Sequence, residues 1–228
     1  GVLHALLYDK PTQLTTLAND GGNTFSFLYQ NSILYNGKAS VNDGYFQLSF
    51  IVPKDMNYSL GEGRLSYYAN NSERDATGYF RDLIIGGTAE SYLKDNTGPR
   101  VDVYLNNQNF RSGDITSPSP VLYIQVYDES GINTAGNGVG HDVTAILNDN
   151  TASIYLLNDY YQSDIDSYQG GLIEYPLFNL EEGDHTISVK VWDIHNNSGE
   201  GSIEFTVVNS KEMILYEIFN YPNPFKEN

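Results

Sequence analysis

Acidic side chains that can bind a metal ion are concentrated in two loops. Asp128, Glu129 and Asp142 belong to a glycine-rich loop at residues 128–142, and Asp193 begins a second loop at residues 193–197. Both loops adjoin extended apolar runs, so they can reach the same end of a layered β fold. Oxygen ligands that converge from several loop positions are what Ca²⁺ prefers. These four residues are therefore candidate ligands of a calcium ion.

The same residue types have a second interpretation that involves no metal. Asp and Asn in loops often form Asx turns, in which the side chain accepts hydrogen bonds from nearby backbone N–H groups. A calcium titration of the thermal midpoint separates the two interpretations.

Catalytic chemistry has little support in this sequence. The chain has no cysteine and therefore no thiol nucleophile, disulfide or thiolate metal site. Two carboxylate pairs, Glu181 with Glu182 and Asp164 with Asp166, lie in turn-like loops where nothing buries one carboxyl and raises its pKa. No G-x-S-x-G or H-E-x-x-H motif accompanies the four histidines. We predict no catalytic residue, no cofactor other than calcium and no enzyme activity for this chain.

A tyrosine-rich acidic loop at residues 158–168 indicates an alternative function. Its three tyrosines and three aspartates can stack on sugars or contact a protein partner, as loops on a rigid β scaffold often do. The alternative to the main interpretation is therefore a carbohydrate-binding or adhesive surface module. More often, such a loop folds back over its own sheet.

The charge balance excludes some partners. The 29 acidic and 12 basic residues give a formal net charge of −17, which repels phosphate backbones and anionic membranes. No apolar run approaches the ~20 residues that a membrane helix needs. We therefore expect no nucleic-acid partner and no direct membrane insertion.

Short extended segments recur along the whole chain, and no helical periodicity competes with them. In the first half the predicted strands are Val2–Tyr8, Thr24–Gln30, Ile33–Tyr35 with Lys38–Val41, Tyr45–Val52, Arg64–Ala69 and Tyr79–Ile85. In the second half they are Val101–Leu105, Val121–Tyr127, Val143–Leu147, Ser153–Leu157, Leu172–Leu177, Thr186–Trp192 and Ile203–Val208. The turn residues Asn42-Asp43-Gly44 predict a tight hairpin.

These elements predict an all-β fold with two consecutive β-sandwich domains and a short C-terminal strand and tail. The polar stretch 94–100 contains Gly98 and Pro99 and is the best boundary. Residues 1–95 form the first sandwich, and residues 96–209 form an immunoglobulin-like sandwich of about seven strands. Residues 210–228 form a linker and a final strand.

The motif after that final strand is the most specific in the chain. Tyr221-Pro222-Asn223-Pro224-Phe225 contains two prolines that fix two φ angles and remove two backbone donors. This Y-P-N-P-F box resembles the opening of the C-terminal sorting domain of the Bacteroidota type IX secretion system, here truncated after its first strand. An ordinary proline-rich turn is the alternative for the box alone.

Further segments extend the resemblance over nearly the whole chain. They are similar, in the same order, to the region after the peptidase domain of type IX secretion sortases, which are gingipain-type cysteine peptidases. The matching segments are 32–41, 46–55, 65–69, 75–80, 85–88, 127–133, 138–142, 157–161, 191–193 and 196–198.

The resemblance implies a non-catalytic spacer and interaction region of an exported protein. The parent protein would carry its catalytic Cys and His upstream, and it would lie at the cell surface, associated with the outer membrane of a Gram-negative bacterium. The implied partners are the upstream peptidase domain of the same protein and outer-membrane components of type IX secretion.

Overall fold

The computed structural model describes residues 1–89, 94–135 and 140–209. These residues form β-strands and loops with one short 3-10 turn, Asn158–Tyr160, and no α-helix. Several sheets with intervening apolar cores confirm the predicted all-β class, consistent with β-sandwich domains.

The N-terminal region, residues 1–89, is organised around one antiparallel sheet. Its strands, in the described part, are β1 (Val2–Tyr8), β2 (Thr12–Thr15), β3 (Ser26–Tyr29), β4 (Ile33–Ser40), β5 (Gly61–Glu62), β6 (Arg64–Asn70), β7 (Asp75–Phe80) and β8 (Ile84–Ile85). The main sheet has the order β4-β1-β6-β7, so β1 lies between two partners. The pairs β2-β3 and β5-β8 form separate two-stranded sheets.

One face of the main sheet carries the core of this region. Leu3, Ala5 and Leu7 alternate with half-exposed residues along β1 and are buried, as a period of two requires. The loop at residues 46–56 covers this face, and its Phe50 ring stacks on Tyr35 with centroids 4.1 Å apart.

A long hairpin extends beyond the sheet and is called the β-arm below (residues 12–29, containing β2 and β3). Tyr8 pairs with Ile33 at the end of the β1-β4 ladder, and Thr12 pairs with Tyr29 at the start of the β2-β3 ladder. The Asp9 N–H donates to Ser32 O at 2.7 Å between the two ladders. The β-arm is therefore the outward continuation of the β1-β4 hairpin.

The C-terminal region, residues 94–135 and 140–209 of the described chain, has two sheets. Its strands are β9 (Arg100–Leu105), β10 (Ile115–Thr116), β11 (Val121–Tyr127), β12 (Thr144–Leu147), β13 (Ile154–Leu156), β14 (Tyr161–Ser163), β15 (Gly170–Pro176), β16 (Gly183–Trp192) and β17 (Ser198–Val207). One sheet has the order β10-β17-β16-β12-β13 and the other β14-β15-β11-β9.

These two sheets enclose a continuous core. Ile124 and Ile173 come from one sheet, and Ile187, Val189 and Phe205 from the other, and all are buried in one cluster. Because both inner faces are apolar and closed over each other, this region buries its hydrophobic side chains with its own residues.

The predicted strand Tyr45–Val52 is wrong, although the turn before it forms. The predicted strand Tyr79–Ile85 is also wrong in its bounds, because the structure divides it between the end of β7 and β8. Asp43 and Gly44 both have positive φ, and Asn42 pairs with Tyr45 as a two-residue hairpin turn requires. Residues 46–52, however, form no strand. Leu48 and Phe50 pack on the sheet from a covering loop, so alternation of apolar residues is satisfied without a partner strand. The pattern reports which side chains face a core, not whether the backbone is paired.

Some predictions remain untested. The sorting-motif residues Tyr221, Pro222, Asn223, Pro224 and Phe225 lie outside the described residues. The domain boundaries after residues 95 and 209 and the immunoglobulin-like assignment stay predictions.

Candidate functional site

The two acidic loops meet at one end of the C-terminal region, as the sequence predicts. Ile132 and Asp193 form an antiparallel bridge, and the Asn133 N–H donates to Trp192 O at 2.9 Å. The Ile194 N–H donates to Gly131 O at 3.1 Å. The backbone of one loop therefore holds the other in place.

Three carboxylates converge at this meeting point. Asp95, Asp128 and Asp193 each offer one oxygen atom, and these atoms lie within 4.8 Å of one another. Asp128 and Asp193 are buried, and Asp95 is half-buried. An all-oxygen set of three carboxylates has the chemistry that suits Ca²⁺.

The same carboxylates also accept the local hydrogen bonds that the metal-free Asx-turn interpretation predicts. Asp193 Oδ1 accepts from the His195 and Asn197 N–H groups at 2.8 and 2.7 Å. Asp128 Oδ1 accepts from the Ser130 N–H at 2.8 Å, and the Ser130 hydroxyl donates to Asp95 Oδ2 at 2.5 Å. These Asx-type bonds position the loops whether or not a cation is bound.

The electrostatics of the cluster differ between its members. Burial raises the pKa of Asp128, and the negative charges of Asp193 and Asp95 add to this effect. The Ser130 hydroxyl, followed by the Thr97 N–H, lowers the pKa of Asp95. A proton or a cation at the cluster would therefore relieve most of its repulsion at Asp128.

The predicted metal ligands are only partly brought together. Asp128 and Asp193 belong to the cluster, whereas Glu129 is exposed and Asp142 lies outside it. Asp95 was expected to lie in the linker between domains and takes part instead. Its sequence signal was weak, because a D-N-T-G-P stretch also fits a plain connector. Calcium binding stays a prediction.

A fourth carboxylate, Asp55, joins the two regions. It lies in the covering loop of the N-terminal region and accepts from Asn133 Nδ2 at 2.9 Å, His141 Nδ1 at 2.7 Å and Asn196 Nδ2 at 2.9 Å. All three donors come from the loops around the acidic cluster, and only 9% of the Asp55 side chain is exposed. Nearby, the Lys54 N–H donates to Ile194 O at 3.0 Å.

A second contact joins the regions through β4. The Ser40 N–H donates to Asp166 Oδ1 at 2.7 Å, and the Asp166 N–H donates to Lys38 O at 2.9 Å. Lys38 Nζ also donates to Gln162 Oε1 at 2.9 Å. The Ser40 N–H lowers the pKa of Asp166. Asp166 thus contributes to the contact between the two regions.

The tyrosine-rich loop is used largely for packing. Tyr161 is buried, and its hydroxyl donates to Gly170 O at 3.0 Å. Tyr168 packs against the core of the N-terminal region, and Tyr160 lies edge-on to Tyr175 with centroids 4.7 Å apart. Two of the three tyrosines are therefore directed inward, which reduces what this loop offers a sugar.

The N-terminal region exposes much apolar surface. Among the described residues, 16 of the 24 exposed large hydrophobic side chains lie in residues 1–89. An open groove of about 740 Å³ contributes to this surface and is lined mainly by Ile51, Val52, Met56, Tyr58 and Ile84.

Comparisons with known proteins identify a similar solved structure. No protein-family model and no curated protein matches the chain. A solved structure described as dimeric latent PorU from Porphyromonas gingivalis is 36% identical, with a TM-score of 0.50. The match covers 100% of this chain and 21% of the PorU chain.

The described residues also contain no helix that is both long and apolar enough to cross a membrane. Over its whole length the chain is similar to a C-terminal region of PorU, as its sequence predicts.

Proposed function

We propose that residues 1–228 are a non-catalytic region of a cell-surface, PorU-like cysteine peptidase of type IX secretion. The region spaces the peptidase domain from the sorting domain and presents both to outer-membrane components of the secretion system. The chain spans 21% of the matched PorU chain, so the proposed active site belongs to the part of the parent protein outside these residues.

The observation that supports this role is the junction between the two regions. Asp55 accepts hydrogen bonds from three side chains of the opposite region, and Asp166 forms a separate contact with the backbone of β4. Two separate contacts, made by different parts of the N-terminal region, restrict rotation between the regions. A spacer that sets the distance and orientation of its neighbours requires such a restriction.

A pair of experiments tests the proposal. The purified 228-residue chain should hydrolyse neither peptide nor glycoside substrates above background. In cells that express the full-length parent, Asp55→Ala should lower the fraction of protein displayed at the surface, measured by protease accessibility of intact cells.

Glu174→Ala is the matched control, because it removes an exposed carboxylate from β15 away from the junction. It should leave surface display unchanged. Turnover by the purified chain, or normal display of the Asp55 variant with a demonstrably loosened junction, would rule out the spacer role.

A second candidate is a glycan-binding or adhesive function. A cleft of about 550 Å³ between the regions brings the exposed rings of Tyr45 and Phe46 next to Lys38, Asn42 and Asp166. An aromatic platform beside polar groups suits a sugar. Binding on a glycan array that is lost in Tyr45→Ala would favour this candidate.

A further inference from the structure

Two arginines lie next to each other at one end of the main sheet of the N-terminal region. The β6-β7 ladder ends at Leu65, and beyond it the Gly63 N–H donates to Leu83 O at 3.1 Å. Arg64 lies between these two contacts on one segment, and Arg81 lies between them on the other. Because Leu65 packs against the core, its neighbour Arg64 is directed to the opposite, outer face of the sheet.

Each arginine is held over a tyrosine ring. Arg64 Cζ lies 4.3 Å from the ring centroid of Tyr8, its cross-strand partner on β1. Arg81 Cζ lies 5.2 Å from the ring centroid of Tyr79. Tyr79 pairs with Ser66, two residues from Arg64, so both arginines share the outer face. Stacking on a ring orients the planar guanidinium group, so this face presents two oriented cations.

Both guanidinium groups have unused hydrogen-bond donors. Within the described residues neither group forms an ion pair or donates a hydrogen bond, and Arg64 Nε is buried without a partner. Leaving a buried donor of a charged group without an acceptor is costly, so such donors are normally paired. In a chain with 29 acidic residues, two adjacent arginines without a carboxylate indicate that a partner supplies the acceptor.

Shape and charge identify the kind of partner. The outer face of a sheet is broad, whereas sites for small molecules are concave. Tyrosine and arginine are enriched where protein partners bind tightly, and Tyr79 is 71% exposed. The net charge of −17 repels polyanions such as nucleic acids at long range. A short acidic segment of a protein meets these conditions, because it brings only a few carboxylates and each can accept two hydrogen bonds from an arginine.

We propose that the outer-face site (Tyr8, Arg64, Tyr79 and Arg81) binds an acidic segment of a protein partner. Each arginine donates two N–H groups to one carboxylate, and the tyrosine rings pack against the apolar parts of the same segment. The site lies on the face opposite the covering loop, which carries the junction, so its role does not depend on the proposed function.

A peptide titration followed by NMR tests the site. The probe is a pentapeptide with glutamate at its first, third and fifth positions and leucine between them, which places the carboxylates on one side of an extended chain. In the 228-residue chain it should shift the Arg64 Nε–Hε resonance with a Kd of about 1 mM or below at low salt. The same peptide with glutamine in place of glutamate should cause no shift.

Variants of the arginines distinguish this site from a general attraction. Arg81→Gln should weaken binding at least roughly tenfold, because it removes one charge-assisted pair. Arg64→Lys keeps the charge but loses the planar fork of donors, and it should weaken binding about threefold or more. Arg100→Gln is the matched control, because Arg100 is exposed and already pairs with Asp102 at 2.8 Å. It should bind the peptide as the unmodified chain does, and thermal melts show whether each variant is folded.

Three results would overturn the inference. An unchanged Arg64 resonance in the presence of the glutamate peptide means that the site binds no carboxylate. Equal affinities of Arg81→Gln and Arg100→Gln mean that the attraction is not specific to the outer face. Inorganic phosphate that binds more tightly than the peptide makes a phosphate group the ligand in place of an acidic segment.

Discussion

The two regions of this chain solve the same packing problem to different extents. In the C-terminal region, two sheets face each other and 19 described residues form one buried cluster. In the N-terminal region, one main sheet is covered by a loop, and the buried cluster has seven described residues. The C-terminal region is closed on itself, whereas the N-terminal region leaves apolar surface that only a neighbour can cover.

The difference shows that similar strand-forming sequences need not give equally independent units. Both regions alternate apolar and polar residues along short strands. What separates them is whether a second layer of strands is available within the chain to cover the apolar face.

The largest expected effect is a difference in stability between two variants, each of which removes one phenylalanine from a different region. Phe205→Ala should lower the free energy of unfolding of the 228-residue chain by about 3–5 kcal/mol, because it leaves a cavity in the closed core. Phe27→Ala should change it by less than about 0.5 kcal/mol, because its ring packs only on other exposed residues. Urea unfolding monitored by circular dichroism measures both. A large loss of unfolding free energy in Phe27→Ala would mean that other residues of this chain already cover the β-arm.

The next effect concerns the junction. Asp55→Ala leaves the Asn133, His141 and Asn196 donors without their acceptor, at a cost of about 2–3 kcal/mol. Calorimetry should then show separate unfolding transitions for the two regions. Asp55→Asn retains one acceptor oxygen and should give an intermediate result. A single unchanged transition in the alanine variant would show that the junction does not couple the regions.

Calcium binding is expected to have a smaller effect. If the Asp95, Asp128 and Asp193 cluster binds Ca²⁺, the ion at ten times its Kd stabilises the chain by about 1.4 kcal/mol, or roughly 3–5 °C in Tm. Asp128→Asn preserves the Oδ1 acceptor of the loop and should abolish the shift. An unshifted midpoint of the unmodified chain in millimolar Ca²⁺ would remove the site.

The smallest expected effect is a pH dependence from the same cluster. Asp128 has a raised pKa in the folded chain, so the folded state binds its proton more tightly than the unfolded state does. Its contribution therefore stabilises the chain as pH falls from the raised pKa toward the ordinary value of 3.8, and is lost as pH rises. Thermal melts between pH 7 and pH 4 should show less of this gain in Asp128→Asn than in the unmodified chain. Asp95 acts in the opposite sense, but below 3.8, because its pKa is lowered.

Much of the fold follows from local sequence patterns. The predicted bounds of β1 match the structure, and those of β6 and β11 differ by one residue or less, because alternating burial along a paired strand leaves a period of two. The predictions do not include the short strands β2, β5, β10 and β14 or most of β7. Thr12–Thr15 has a single apolar residue, Leu14, so it lacks a pattern that would reveal a strand.

The candidate site was less accessible to sequence reasoning. The meeting of Asp128 and Asp193 was predicted, because loops at the same end of a sandwich meet. The contribution of Asp95 depends on how the connection between the regions folds back, and the role of Asp55 depends on how the two regions dock. Both are long-range arrangements that no local pattern in a single sequence encodes.

The continuity of the β-arm with the sheet has a mechanical consequence. β1 leads directly into the arm and is paired with β6 along seven residues. A force that pulls the arm outward along its own axis therefore acts on those seven pairs in shear, so they resist together and do not unzip one at a time. The arm is connected to the sheet through both β1 and β4, so these two strands together would carry tension between a parent protein and this region.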